Sequence, residues 1–334
     1  MANSRLNIPF PHRVSPDLER ARQHGPVWAR ETGMVTGDAA AAYWEALLLP
    51  EQAGFYWPYA AGEDIELAVD FMTFYYFFDD QFDAELGRSV AEVRRVIGDL
   101  VEVTRGIAHR RLHVPIVTAF SDLWRRATEG MSPLWRERFG RNWRDYFYGY
   151  VSEAVDRHLG TAHQWDTYLA GRRYSVGAQT STDLCERFGH FEVPEEALAH
   201  PHLQVMRQII CDVLAMSNDL HSFEKESALG ETNNFIQAAG RTRRLPTDAA
   251  VAHVRAEGER LLARFAELER EIPRIVDALG PAEHRRSVTA YVDALKASLR
   301  GYDAWGNVTP RYRAEYSRPG SALAHVEDLT RSRT

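Results

Sequence analysis

Phe71-Met72-Thr73-Phe74-Tyr75-Tyr76-Phe77-Phe78-Asp79-Asp80-Gln81-Phe82-Asp83 is the stretch from which the rest of the chain can be read. Phe71, Phe74, Tyr75, Phe78 and Phe82 follow the i, i+3, i+4, i+7, i+11 spacing of one helical face, which predicts packing against neighbouring helices. At about 100° per residue, Met72, Tyr76, Asp79 and Asp83 fall on an adjoining stripe, and Asp80 points further round, close to Tyr76. A stripe that is apolar for two turns and then ends in carboxylates suits a deep pocket with a metal-lined mouth. The plain alternative is a solvated acidic helix end. Against it, carboxylates at a helix C-terminus oppose the macrodipole, and these follow aromatic side chains rather than a polar face. A DDxxD pattern by itself is a weak signal.

A second oxygen-rich stretch, Asn218-Asp219-Leu220-His221-Ser222-Phe223-Glu224-Lys225-Glu226, closes another apolar helical run. Asn218, Ser222 and Glu226 are four apart and line one ridge. Amide carbonyl, hydroxyl and carboxylate together suit a hard cation that keeps some water or phosphate ligands. Lys225 lies beside the ridge and can meet a phosphate oxygen as a point charge. Cys211 and Ala215, further up the ridge, are small enough to leave room for a ligand. Two carboxylate-rich sites facing each other across a bundle would be costly unless metal and an anion neutralised them, and the anion these residues imply is a diphosphate.

The remainder of the chain reads as helix after helix. Helical patterns run near 15–30, 38–48, 62–85, 88–109, 115–130, 133–159, 162–176, 178–188, 202–227, 247–270 and 282–302. Ser15-Pro16-Asp17 and Ser132-Pro133 pair an N-cap with a first-turn proline. No Ser/Gly-rich or Pro-rich linker divides the 334 residues, so residues 1–334 are expected to form a single domain. Its first 14 or so residues are expected to be irregular, and the stretch from about 303 to the end mobile. An apolar content of 45% is enough for a sizeable core, and the formal charge of −7 argues against a nucleic-acid partner. Cys185 and Cys211, without a CxxC, fit a reducing compartment. The absence of a signal-peptide pattern and of any run of roughly 20 apolar residues predicts a cytoplasmic protein with no membrane partner.

On these residues the chain resembles bacterial class I terpene synthases (terpene cyclases) over essentially its whole length. Asp79-Asp80-Gln81-Phe82-Asp83 is similar to their DDxxD motif, and Asn218, Ser222 and Glu226 to their NDxxSxxxE triad. Arg172-Arg173-Tyr174-Ser175-Val176-Gly177 resembles the diphosphate-sensing segment. By that likeness Arg172 is the sensor, with Arg173 as an alternative, Ser175 the linker and Val176 the effector. Trp305-Gly306-Asn307-Val308-Thr309-Pro310-Arg311-Tyr312 resembles the segment whose Arg-Tyr pair closes over the diphosphate.

The resemblance implies an all-α bundle around a deep apolar cavity and a cluster of three Mg²⁺ ions. Asp79, Asp83, Asn218, Ser222 and Glu226 would be the metal ligands. Arg172, Lys225, Arg311 and Tyr312 would hold the diphosphate, and Asp80 would pair with Arg172 on closure. A carbocation needs walls that neither attack nor hydrate it, and aromatic faces stabilise a dry cation by up to about 2 kcal/mol each. Met72, Tyr75, Tyr76, Phe55 and Trp57 are the candidate wall, with Tyr76 first among them. Ser298 stands where the family often carries an aromatic residue, which predicts a more open or more polar wall.

The implied reaction is cyclisation of farnesyl diphosphate to a sesquiterpene. The alternatives are a diterpene synthase using geranylgeranyl diphosphate, a chain-elongating prenyltransferase and a non-catalytic helical scaffold. A prenyltransferase would carry a second DDxxD where this chain has Asn, Ser and Glu. A homodimer is compatible with the family likeness.

Overall fold

A computed structural model describes residues 5–83, 85–107, 112–228, 230–278, 281–312 and 326–332. Fourteen α-helices are described: α1 Leu18–Glu31, α2 Asp38–Leu47, α3 Leu49–Tyr56, α4 Glu63–Asp83, α5 Val90–Thr104, α6 Pro115–Thr128, α7 Pro133–Leu159, α8 Trp165–Ser175, α9 Ala178–Gly189, α10 Glu195–Leu198, α11 Pro201–Ala228, α12 Phe235–Arg243, α13 Thr247–Ala278 and α14 Ala282–Gly306. Short 3₁₀ turns cover Glu85–Arg88 and Pro310–Tyr312. No strand occurs among the described residues, as an all-α reading requires. None of the described helices is long and apolar enough to cross a membrane.

Local chemistry fixes the helix ends. Ser132 accepts a hydrogen bond from the Trp135 N–H at the start of α7, with Pro133 in the first turn, and Gly160 ends that helix in the left-handed region at φ 64°. At α1 the capping differs from expectation. The Ser15 hydroxyl accepts from Asp17 N–H but donates to the Ala60 carbonyl, so it ties the chain to the start of α4 and the helix begins at Leu18. Three helices were not legible in the pattern: α3, α10 and α12. They are short, and Pro50 and Gly54 within α3 read as breakers.

Two central helices carry the chemistry. The aromatic face of α4 packs as its spacing predicts: Phe71, Phe74, Phe78 and Phe82 are buried. They meet Phe120 of α6 and Trp143, Phe147 and Tyr150 of α7 at ring separations of 4.8–6.1 Å. Packing of this kind contributes about 0.5–1.5 kcal/mol per ring pair beyond area burial. Helix α11 is enclosed by α8, α9, α12, α13 and α14. Between α8 and α9 the chain breaks at Gly177, φ 73°, a conformation that disfavours a side chain. A Cβ there would also lie 3.3 Å from the rings of Tyr75 and Tyr146. Gly149 of α7 has a comparable role, because a Cβ would meet the Ser175 backbone at 3.1 Å.

Of the stretch expected to be mobile, residues 303–312 are described, and they pack into the bundle. Helix α14 continues to Gly306, and Asp303, Trp305, Thr309 and Arg311 are buried. Trp305 Nε1 and the Thr309 hydroxyl both donate to the Leu47 carbonyl, at 2.8 and 3.1 Å, which pins this stretch to the α2–α3 junction. Residues 313–325, 333 and 334 lie outside the described residues. Residues 5–14 form no helix, and Leu6 and Ile8 within them are buried. The two cysteines are free and buried.

Candidate active site

The C-terminal ends of α4 and α11 meet across one cleft. Asp79, Asp83, Asn218, Ser222, Lys225 and Glu226 line it together with Arg172, Arg311 and Tyr312. Lys225 Nζ is 3.6 Å from an Asp83 oxygen, so the two acidic stretches nearly touch. Below this mouth lies a chamber lined by Met72, Tyr75, Tyr76, Tyr56, Gln52, Tyr146, Tyr150, Val176, Leu214 and Tyr302. Tyr76, Asp79, Arg172, Ser175 and Asn218 border both spaces, so the aromatic chamber opens directly onto the charged mouth.

On the α4 side, carboxylate oxygens of Asp79, Asp80 and Asp83 lie within 4.8 Å of one another. Asp79 accepts hydrogen bonds from the Tyr150 hydroxyl (2.9 Å) and from Arg311 (3.0 Å). Burial, reinforced by the charge on Asp83, pushes the Asp79 pKa up to about 6. On the α11 side, Asn218 accepts from Arg172 at 2.5 Å and donates to the Tyr302 hydroxyl at 2.7 Å. Glu226 accepts from Asn234 at 2.8 Å. Burial, then the charge of Asp219, raises the Glu226 pKa to about 7. The Ser222 hydroxyl is buried and makes no hydrogen bond of acceptable geometry, although it is near enough to Glu226 to favour that carboxylate.

This donor set fits Mg²⁺. The groups are hard oxygen donors, a buried hydroxyl lacks a partner, and neighbouring carboxylates repel one another. The same crowding explains the cations held here. Burial works against the charge on Arg172 and Arg311, yet Asp219 for the first and Asp80 and Asp79 for the second more than offset it. Both pKa values rise above the ordinary arginine value.

The structure separates the sensor candidates. Arg172 faces the cleft and bonds to Asp219 (3.1 Å) and Asn218, whereas Arg173 is paired with Asp212 outside it. Ser175 and Val176 follow on the chamber wall, where α8 ends. Asp80 is held by Arg311 at 3.0 Å, and its expected pairing with Arg172 belongs to the closed, liganded state. Asp80 points away from the cleft towards α2, where Tyr43 accepts from the same guanidinium at 2.5 Å.

The corrections concern the wall. Phe55 packs on His12 and Trp57 on Phe188, with ring centroids 4.7 and 4.9 Å apart, and neither lines the chamber. Their neighbour Tyr56 does, its hydroxyl paired with Ser181. Tyr76 lines the chamber as expected, but Arg311 lies 4.7 Å from its ring centroid and already claims part of its quadrupole. Ser298 is buried away from the chamber, donating to Ala294 O, so the polar wall expected from it does not arise. Tyr302, one turn further on, is the α14 residue that lines the chamber, with its hydroxyl accepting from Asn218 at 2.7 Å.

The sequence reading passed over Tyr150, Tyr302, Gln52 and Asp219. Only Asp219 carried a signal, as an unassigned carboxylate beside Asn218.

An all-helical bundle with two oxygen-rich helix ends above an aromatic chamber is the architecture of class I terpenoid synthases. Residues 70–264 match the family described as terpene synthase family 2, C-terminal metal binding. The chain is 37% identical over 327 residues to pentalenene synthase of Streptomyces avermitilis, with 97% of each covered. It is 38% identical to the (2E,6E)-farnesyl diphosphate cyclizing (-)-beta-caryophyllene synthase of Saccharothrix espanaensis, covering 97% of this chain and 93% of that one. Among solved structures, the linalool/nerolidol synthase of Streptomyces clavuligerus in complex with 2-fluorogeranyl diphosphate superposes with TM-score 0.81 at 32% identity. That match covers 90% of this chain and 98% of the other. This chain belongs to the terpene synthase family.

Proposed function

We propose that the chain is a Mg²⁺-dependent sesquiterpene cyclase that ionises farnesyl diphosphate and folds the resulting cation in the aromatic chamber. One observation carries the reading: the ends of α4 and α11, with the cationic side chains of Arg157, Arg172, Lys225 and Arg311, share a mouth that opens onto that chamber. Farnesyl diphosphate is favoured because the caryophyllene synthase relative is a (2E,6E)-farnesyl diphosphate cyclizing enzyme. Residues 1–334 would work as one catalytic domain, since groups from α3 to the 3₁₀ turn at Pro310–Tyr312 border the two spaces.

Asp79 and Asp83 on one wall, and Asn218, Ser222 and Glu226 on the other, would hold a complement of three Mg²⁺ ions. Bound Mg²⁺ supplies the positive charge that stabilises the departing diphosphate. Arg172, Lys225 and Arg311 add fixed cations, and the Tyr312 hydroxyl adds a hydrogen bond, at the place where negative charge develops. Ser175 and Val176 link Arg172 to the chamber, so diphosphate binding at the mouth and substrate folding below share one helix end. Burial raises the pKa values of Tyr56, Tyr76, Tyr146 and Tyr150, so these phenols stay protonated beside a cation. Hydroxyl pairs such as Tyr75–Thr180 (2.6 Å) and Tyr56–Ser181 (2.7 Å) are satisfied within the wall, which limits water capture.

The test is to incubate the purified chain with Mg²⁺ and geranyl, farnesyl or geranylgeranyl diphosphate, each alone, and to identify products by gas chromatography–mass spectrometry. A cyclic C15 product from farnesyl diphosphate is expected. Turnover of geranylgeranyl diphosphate alone, or a longer diphosphate formed only when isopentenyl diphosphate is added, would overturn the reading.

A further inference from the structure

Residues 326–332 lie against the end of the bundle that carries the first acidic motif. Glu327 accepts hydrogen bonds from the backbone N–H groups of Thr36 (3.0 Å) and Gly37 (2.5 Å), and from the Thr36 hydroxyl (3.0 Å). Gly37 is the N-cap residue of α2 and has no side chain to cap the helix. Glu327 therefore holds the two residues that lead into α2 from the far end of the chain, and places a negative charge at the positive end of the helix dipole. Leu329, 1% exposed, donates its N–H to Gln81 Oε1 at 3.1 Å and accepts from the Ile116 N–H, at the first turn of α6, also at 3.1 Å. Gln81 is the residue between Asp80 and the Phe82-Asp83 end of the motif.

Both contacts lead to Arg311. Helix α2 carries Tyr43, whose hydroxyl accepts from Arg311 Nη1, and the end of α4 carries Asp79 and Asp80, which both accept from Nη2, Asp80 also sharing Nη1. Arg311 is 4% exposed, so its position is set by these few partners rather than by solvent.

On the reading of the cleft as a Mg²⁺–diphosphate site, we infer that residues 326–332 form a latch that sets the two walls of the Arg311 cradle. Glu327 and Leu329 are positioning residues: neither borders the cleft or the chamber, and each acts through an element that does. The latch keeps α2 and the acidic end of α4 at a fixed separation, so that Arg311 and Asp79 present one geometry to metal and diphosphate.

Three variants test this: Glu327→Ala, Glu327→Ala with Gly37→Ser, and a chain ending at residue 325. Gly37 has an extended backbone (φ −92°, ψ 159°) that accepts a side chain. A Cβ there would lie 2.9 Å from the Glu327 carboxylate that the alanine removes, so in the double variant a serine hydroxyl has room to accept from first-turn N–H groups of α2 and to anchor that helix end by a different, local bond. The readouts are the melting temperature with Mg²⁺ and inorganic diphosphate, and the half-saturating Mg²⁺ for turnover of farnesyl diphosphate. Glu327→Ala is expected to raise half-saturating Mg²⁺ about five- to tenfold, the scale of one lost cap, and to shrink the diphosphate-induced thermal shift. Adding Gly37→Ser restores both. The shortened chain shows the larger defect, which Gly37→Ser corrects only in part because the Gln81 contact is still missing.

A lower melting temperature in Glu327→Ala with unchanged Mg²⁺ half-saturation would mean ordinary packing and would overturn the latch. If the shortened chain does not fold, the two full-length variants decide alone. A parent protein that shows no response to Mg²⁺ and diphosphate would count against the proposed function instead. A responsive parent matched by its variants counts against the latch only.

Discussion

Replacing Asp219 with asparagine tests the electrostatic logic of the site through a residue that is not itself a candidate metal ligand. Asp219 is fully buried. One carboxylate oxygen accepts from the Tyr168 hydroxyl (2.8 Å) and the Phe235 N–H (2.7 Å), and the other from Arg172 Nε (3.1 Å). An asparagine oxygen can satisfy the first pair, but its NH₂ then faces the Arg172 Nε–H donor to donor, and the charge is gone. Breaking a buried ion pair costs about 3–5 kcal/mol. Arg172 keeps Asn218 and borders the cleft, so the lower end, about 3 kcal/mol, is expected. With an unfolding entropy of about 2.1 cal/mol/K per residue, a chain of 334 residues should then melt roughly 4 °C lower. Diphosphate supplies the anion that Arg172 has lost. In calorimetry or dye-based melting, the rise caused by Mg²⁺ and diphosphate should therefore be larger in Asp219→Asn than in the parent, while turnover falls. A melting point within about 1 °C of the parent, or a smaller diphosphate response, would refute the assignment of Arg172 as a cation held ready for that ligand.

Ser222→Ala should change stability by no more than about 0.5 kcal/mol, because its hydroxyl makes no good hydrogen bond. Its Mg²⁺ affinity should nevertheless fall about tenfold by titration calorimetry. Asp79, at about 6, and Glu226, at about 7, bind protons more tightly folded than unfolded, so both penalise the metal-free fold as they ionise. Their contribution to stability should fall between about pH 4 and pH 7. Mg²⁺ with diphosphate should reverse that trend in melting curves and release protons on binding near pH 6.5. Tyr302→Leu should alter the product ratio by a factor of about ten, whereas Phe55→Leu should leave it unchanged by gas chromatography, since Tyr302 lines the chamber and Phe55 does not.

The periodic signals in the sequence were legible because they report a single helix at a time. The Phe71–Phe82 face and the Asn218–Glu226 ridge depend on 3.6-residue geometry alone, and both lie where that geometry puts them. Long helices with strong patterns, such as α7, matched closely, and the short α3, α10 and α12 did not show. The choice between Phe55, Tyr56 and Trp57 was not readable. All three follow one another at the end of a short helix, and α14 decides which ring faces inward by pressing against α3. A Cβ at Gly301 would come within 2.0 Å of the Phe55 carbonyl, so the two backbones nearly touch there.

Charge pairing was less legible than helix faces, for a physical reason. Each buried arginine here has more than one carboxylate in reach, and the fold chooses among them by distance and burial. Asp80 and Asp219 are both acids next to a ligand-type residue, and either could have partnered Arg172. Asp219 shares α11 with Asn218 and meets Arg172 directly, while Asp80 is turned from the cleft towards Tyr43 and is taken by Arg311. The result places Arg172 on the α11 side of the mouth and Arg311 on the α4 side, with Lys225 and Arg157 near Asp83 between them. Such an arrangement tolerates its crowded acids without metal because the cations are already paired, and each cation borders the space where a diphosphate would stand. Binding then exchanges partners within a fixed frame instead of creating charge in a dry site, which keeps reorganisation small at the moment negative charge develops.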